Sequence, residues 1–228
     1  MVSDAAVVSG HGLTKTYRRN AEAVHALRDV DLSLHPGELV ALVGPSGSGK
    51  STLLNVLCGW ERADSGALTW GGALAGRRAD ELTWTELALI PQALGLLDDL
   101  TMGENVSLPG RLTGQKDHGR KAATDMMTAV GIDHLADRYP KQASLGEQQR
   151  CCVSRALLLS PKIVLADEPT AHQDARWTEI IFTAFRQLVR GGSVCLIATH
   201  NPETWEYADR TLSMHDGELR EGAPAPVH

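Results

Sequence analysis

Residues 44–51 read Gly-Pro-Ser-Gly-Ser-Gly-Lys-Ser, and these residue types at this spacing are suited to gripping a chain of phosphates. Glycines at 44, 47 and 49 let the backbone turn so that successive N–H groups face phosphate oxygens. Lys50 can reach the outer phosphates, and the Ser51 hydroxyl can bind a magnesium ion. A helix starting after the loop, with Thr52 to Leu57 as good helix material, adds its positive end to the same place. A phosphate loop alone hydrolyses nothing. It needs a carboxylate at the end of a neighbouring buried strand to hold magnesium, and Asp167 follows the run Ile163-Val164-Leu165-Ala166 in that position. Glu168 comes next, placed to polarise a water. His200 lies just past the apolar run 194–198, at the sheet edge where ligands collect in open α/β folds, which suits a γ-phosphate contact. Gln92, after Ile90-Pro91, can offer its amide oxygen to magnesium.

Those residues need elements to carry them. Leu39 to Val43 is a buried strand feeding the loop, preceded by short antiparallel strands at Ala6–Val8, Val24–Leu27 and Val30–Leu34. Ser65 to Gly72 reads as a further strand between turns. From about 96 to 160 the pattern is helical, clearest at Ala122–Val130 and Gly146–Leu159. Then β and α alternate: a strand at 163–166, a helix from Asp174 to Arg190, a strand at 194–198, a short helix at Pro202–Ala208, and a closing hairpin at Thr211–Met214 with Glu218-Leu219. The sum is an α/β core with an inserted helical subdomain, and the Gly/Pro/Ala tail after 221 reads as disordered.

Composition narrows the partners. The 228 residues are 43% hydrophobic and 22% charged, with a net charge of −6, which argues against broad capture of nucleic acid. Segment 96–160 carries eight Lys/Arg and eight Asp/Glu, so it hides no basic block. Cys58, Cys151, Cys152 and Cys195 have no zinc spacing; they read as free thiols of a reducing compartment, and adjacent Cys151 and Cys152 point different ways on a helix. No apolar run reaches the roughly 18 residues that cross a bilayer, and the N-terminus lacks a signal-peptide core, so membrane work would pass through a partner.

With these motifs in this order, the chain resembles the nucleotide-binding subunits of ATP-binding cassette (ABC) transporters over nearly all of residues 7–220. The resemblance implies one ABC ATPase domain over 1–228. Its P-loop NTPase core with an N-terminal antiparallel β subdomain spans 1–95 and 161–220, the helical subdomain 96–160, and the tail 221–228. It implies ATP and Mg2+ as ligands, with Gly44, Pro45, Ser46, Gly47, Ser48, Gly49, Lys50, Ser51 and Thr52 around the phosphates. Ser51, Gln92 and Asp167 would hold the metal; Glu168, His200, Lys50 and Gln92 would be catalytic. Tyr17, in Leu13-Thr14-Lys15-Thr16-Tyr17, matches the aromatic that stacks on adenine, and Asp174, in Ala171-His172-Gln173-Asp174, matches the loop that signals across the dimer.

Such subunits work as head-to-tail dimers, in which the signature segment of one closes over ATP held by the other. Here that segment is Ala143-Ser144-Leu145-Gly146-Glu147-Gln148-Gln149-Arg150, where the family usually has Leu-Ser-Gly-Gly-Gln or Leu-Ser-Gly-Gly-Glu. Ser144, Gly146 and Glu147 are retained as contacts to the partner's nucleotide. Leu145 replaces the first glycine, Ala143 a packing leucine, and Gln173 the leucine usual before Asp174. The expectation is an intact phosphate site and a weakened face toward the partner: one strong and one weak site in a heterodimer, two slowed sites in a homodimer; the alternative is that Leu145 points away and costs little.

His25-Ala26-Leu27-Arg28-Asp29-Val30, Leu165 to Thr170 and the Glu-containing signature look most like the macrolide-efflux, lipoprotein-release and antimicrobial-peptide-resistance branch. That implies a separate transmembrane permease whose coupling helix docks near 93–106, a second ABC ATPase subunit, and a cytoplasmic location, peripheral on the inner face of the cell membrane. An importer ATPase subunit is the alternative within the family. A soluble ATPase acting on nucleic acid or ribosomes is the alternative outside transport, opposed by the single cassette, the absent heptad run and the absent basic face. A non-hydrolysing regulatory cassette is opposed by Glu168 and His200.

Overall fold

The computed structural model describes residues 5–19, 22–114 and 116–223. Residues 1–4 lie outside the described residues, as do 224–228 of the tail.

Two sheets meet across one of the three hydrophobic clusters. A three-stranded antiparallel sheet is built from β1 (Val8–Arg19), β2 (Glu22–Leu34) and β4 (Ser65–Trp70) in the order β2-β1-β4. The larger sheet has β3 (Leu39–Val43), β5 (Leu87–Ile90), β6 (Ile163–Asp167), β7 (Val194–Thr199), β8 (Arg210–His215) and β9 (Glu218–Glu221), ordered β5-β6-β7-β3-β8-β9. All its pairings are parallel except the β8–β9 hairpin.

The central strands are buried on both faces, as parallel strands covered by helices must be, and side-chain alternation sorts them cleanly. Val40, Leu42, Ile163, Leu165, Val194 and Leu196 face the cluster shared with β1, β2 and α1 (Lys50–Cys58). Leu39, Val164, Ala166, Cys195 and Ile197 face α4 (Leu145–Leu157) and α5 (Ala175–Arg190), meeting Cys152, Val153, Phe182 and Phe185. A third cluster joins α2 (Met102–Leu112), α3 (Lys116–Ala129) and α4 through Met102, Val106, Met127, Ile132 and Cys151. Cys151 and Cys152 thus enter different cores, and all four cysteines are free and buried.

β5 was not among the expected strands, and three further elements differ from their expected outlines. The first strand runs from Val8 to Arg19 instead of Ala6–Val8; Gly10, Gly12 and the polar residues Thr14 to Thr16 obscure its alternation. The two short strands expected at 24–27 and 30–34 are one, β2. Its register slips between Leu13↔Val30 and Lys15↔Leu27, so two residues of β2, Arg28 and Asp29, oppose one of β1. Asp29 takes φ 52 at that bulge. The segment after β7 is a 3-10 helix at Pro202–Tyr207.

Candidate nucleotide site

The phosphate loop leaves the C-terminal end of β3 and is pinned from two sides. Ser48 N donates to Pro45 O (3.2 Å), and Ser48 O accepts from Gly217 N in the β8–β9 turn (2.9 Å). Glycine is required where other backbone closes in. A Cβ on Gly44 would lie 2.1 Å from Met214 O; one on Gly49, at φ +111, would lie 2.2 Å from Ala26 O. Lys50 is buried, and its ammonium donates to Gly44 O (2.8 Å) and Pro45 O (2.9 Å). Burial pushes its pKa down, partly opposed by the charges of Glu168 and Asp167. The buried Ser48 Oγ has no hydrogen-bond partner among the described residues. The glycine-rich turn at the N-terminus of α1, with the Lys50 ammonium beside it, suits a polyanion.

The acidic side of the site comes from β6. Asp167, its last residue, is 6% exposed, and burial raises its carboxyl above the ordinary range, opposed by a hydrogen bond from the Ser51 hydroxyl and by Lys50. Ser51, Gln92 and Asp167 line one cavity of about 200 Å³. Hydroxyl, amide and carboxylate oxygens are hard donors, and together they fit magnesium.

Glu168 sits just past β6 at φ 50, a conformation that side-chain-bearing residues adopt only under restraint. The restraint is visible. Its N–H donates to Ala198 O (2.9 Å). Its Oε1 accepts from the His200 backbone N–H (3.0 Å) and lies 2.6 Å from His200 Nδ1, while its Oε2 accepts from Thr199 Oγ1 (3.2 Å). Thr199 escaped the sequence reading; a threonine at the end of a buried strand, directly before a candidate histidine, was the available signal.

Tyr17 lies beside the first turn of α1. Its hydroxyl donates to Glu61 and also bonds Thr52, the Lys15 ammonium is 5.7 Å from its ring centroid, and burial raises its phenol pKa.

The signature segment forms the N-terminus of α4 and contacts the loop after Glu168. Ser144 is the N-cap, closed in a capping box by Glu147, whose Oε2 accepts from Ser144 N (2.7 Å) and Ser144 Oγ (2.7 Å). These bonds hold the Glu147 carboxyl below its usual range. Gly146 O accepts from Gln173 Nε2 (2.9 Å), and Gln173 Oε1 accepts from Arg150 Nη1 (2.9 Å). Arg150 in turn stacks on Trp177, 4.2 Å from the ring centroid. Asp174 caps α5 by accepting from Trp177 N (3.0 Å). Leu145, at the first position of α4, is 48% exposed and so lies on the surface. Further along α4, Arg155 donates to Gly95 O (2.7 Å) and Leu94 O (3.0 Å), clasping the loop that carries Gln92.

A phosphate loop, a buried strand-end Asp-Glu pair and a helix N-terminus facing the Asp174 loop now share one frame, and known proteins share it too. The family model described as ABC transporter matches residues 27–171. The chain belongs to this family. It is an ATP-binding and ATP-hydrolysing cassette of an ABC transporter. The lipoprotein-releasing system ATP-binding protein LolD 1 of Rhodospirillum rubrum is 37% identical over 216 residues, 91% of this chain and 94% of that protein. LolD of Maricaulis maris is 39% identical over 220 residues, covering 93% and 96%. Among solved structures, the dimeric ATP-binding cassette MJ0796 in a post-hydrolysis state with ADP and Pi superimposes with a TM-score of 0.84. That match is 29% identical and spans 94% of this chain and 98% of that one.

Proposed function

We propose that this chain drives a separate membrane-embedded permease in an export-type machine, with lipoprotein release from a membrane as the favoured task. Similarity to the LolD proteins supports that task, and the family's dimeric relatives support a second ATPase subunit closing over each nucleotide. Among the described residues no helix is long and apolar enough to cross a membrane, in keeping with a peripheral position on the cytoplasmic side. The permease contact is assigned to the stretch near 93–106, where Leu97 is 48% exposed and a groove of about 970 Å³ opens along α2, lined by Leu100, Glu104 and Leu108.

The observation that carries the reading is the convergence of Lys50, Asp167 and Glu168 at the C-terminal edge of the parallel sheet. In the proposed cycle the loop amides and Lys50 hold the phosphates. Ser51, Gln92 and Asp167 would hold magnesium, which when bound neutralises phosphate charge. Glu168 orients the attacking water, and His200 turns its exposed ring from Glu168 to the γ-phosphate as charge develops there. Tyr17 stacks on the adenine. Ser144, Gly146 and Glu147 present the N-terminus of α4 to the partner's nucleotide. Steady-state ATPase assays of Lys50→Ala and Glu168→Gln test this: each should abolish turnover, and wild-type rates in both would end the reading.

A further inference from the structure

Two side chains reach Glu168 from the end of β7, and they differ in permanence. His200 offers a ring whose side chain is 69% exposed, free to leave for a phosphate. Thr199 is 1% exposed and fixed in the strand. The parallel register between β6 and β7 pairs Asp167, the last residue of β6, with Ala198, and Glu168, just past the strand, lies beside Thr199, the last residue of β7. That register makes the Thr199 contact a property of the core.

The neighbours of Thr199 Oγ1 leave its proton for Glu168. Thr199 Oγ1 accepts from Asn201 N–H at 3.1 Å. Thr204 Oγ1 lies 3.2 Å from it, but Thr204 has a single hydroxyl proton and a shorter contact, 2.7 Å to Asn201 O. Thr199 therefore keeps its own proton to give, and the carboxylate outcompetes a neutral hydroxyl for it. The result is a buried donor aimed at Glu168 Oε2. Together with the His200 backbone N–H on Oε1, it holds the carboxylate in one orientation at a backbone angle that resists occupation.

We infer that Thr199 is a positioning residue for hydrolysis: its hydroxyl fixes the orientation of the Glu168 carboxylate while the His200 ring is engaged on the phosphate. The inference rests on Glu168 being the residue that orients water. Supporting groups of this kind typically contribute about 10–100-fold in rate when removed.

The test compares Thr199→Val, which keeps shape and strand propensity but loses the hydroxyl, with Thr199→Ser, which keeps the hydroxyl. Glu168→Gln is run beside them on the purified full chain. Thr199→Val should lower kcat about 10-fold. Its KM and its dissociation constant for a fluorescent ATP analogue should stay within about twofold, and its melting temperature within about 3 °C. Thr199→Ser should keep at least half of the wild-type kcat. If Glu168→Gln is inactive while Thr199→Val turns over normally, the inference is wrong and the catalytic reading of Glu168 survives. If both threonine variants fall together, or nucleotide affinity and melting temperature fall with kcat, Thr199 is structural and the inference is overturned. A fully active Glu168→Gln overturns the catalytic reading itself.

Discussion

Asp167→Asn should separate the stability of this fold from its function. The wild-type carboxyl is buried at the end of β6 and held above its ordinary pKa mainly by desolvation. In the folded state it binds a proton more tightly than in the unfolded chain. Stability attached to this group is therefore greatest below the ordinary carboxylate range and falls as pH rises through the folded-state value. At pH 7 the group is a net cost. Asparagine removes that cost while keeping the shape and an acceptor for Ser51, and it gives up the attraction to Lys50. Relief of such strained functional charges is commonly worth about 1 kcal/mol, or about 2–4 °C in a domain of this size. The nucleotide-free variant should melt higher than wild type by that amount at pH 7, and the gap should close as pH is lowered toward about 4, the ordinary carboxylate range. Ligand reverses the ranking. ATP with magnesium at a hundred times its dissociation constant stabilises by about 2.7 kcal/mol, so wild type should gain about 5–11 °C. The variant should keep the shift due to ATP in EDTA and lose the increment due to magnesium. Scanning calorimetry at pH 4.5 and 7, with and without each ligand, reads all of this. A nucleotide-free variant that melts below wild type at pH 7, or one that keeps the magnesium increment, would refute the reasoning.

Gly49→Ala places a Cβ 2.2 Å from Ala26 O at φ +111. It should lose about 3 kcal/mol and melt about 6–12 °C lower, with ATP binding lost in the same titration; an unchanged melting curve would show that the loop is not pinned there. Leu145→Gly should raise ATPase turnover if the exposed leucine keeps the partner's nucleotide away from α4, and equal rates for the two proteins would sink that idea. Gln173→Leu removes the bridge between Gly146 O and Arg150 and leaves the guanidinium short of a partner. A stability loss of about 1–2 kcal/mol is expected by denaturant titration, and no loss would show that the bridge is incidental.

Legibility along the chain followed the locality of the physics. The strands at 39–43, 163–166 and 194–198 stood out because burial on both faces needs an unbroken apolar run. β1 was truncated because its middle carries Gly12 and Lys15 where alternation was sought, although Leu13 between them is buried. α2 was blurred within a broadly helical segment by Gly103, Pro109 and Gly110. Yet Thr101 and Glu104 form its capping box, a start signal that spacing alone could have supplied. The two expected strands within β2 were divided at Asp29 because a bulge looks like a turn in one dimension: both put a polar residue at positive φ between apolar runs.

The site divides along the same line. The phosphate loop is contiguous and works largely through its backbone, so residues 44–51 carry their chemistry in their own spacing, and the Asp167-Glu168 pair is announced by the strand before it. What the sequence withholds is the pairing between elements. Nothing local ties Thr199 to Glu168, 31 positions away, until β6 and β7 align in parallel with Asp167 opposite Ala198. Gln173 reaches Gly146 only because the loop after Glu168 folds back over the first turn of α4. The Gln173 contact joins the loop after Glu168 to the segment proposed to meet a partner. Local chemistry therefore marks the candidates for reaction in this cassette, and the alignment of β6 with β7 sets how Glu168 is held.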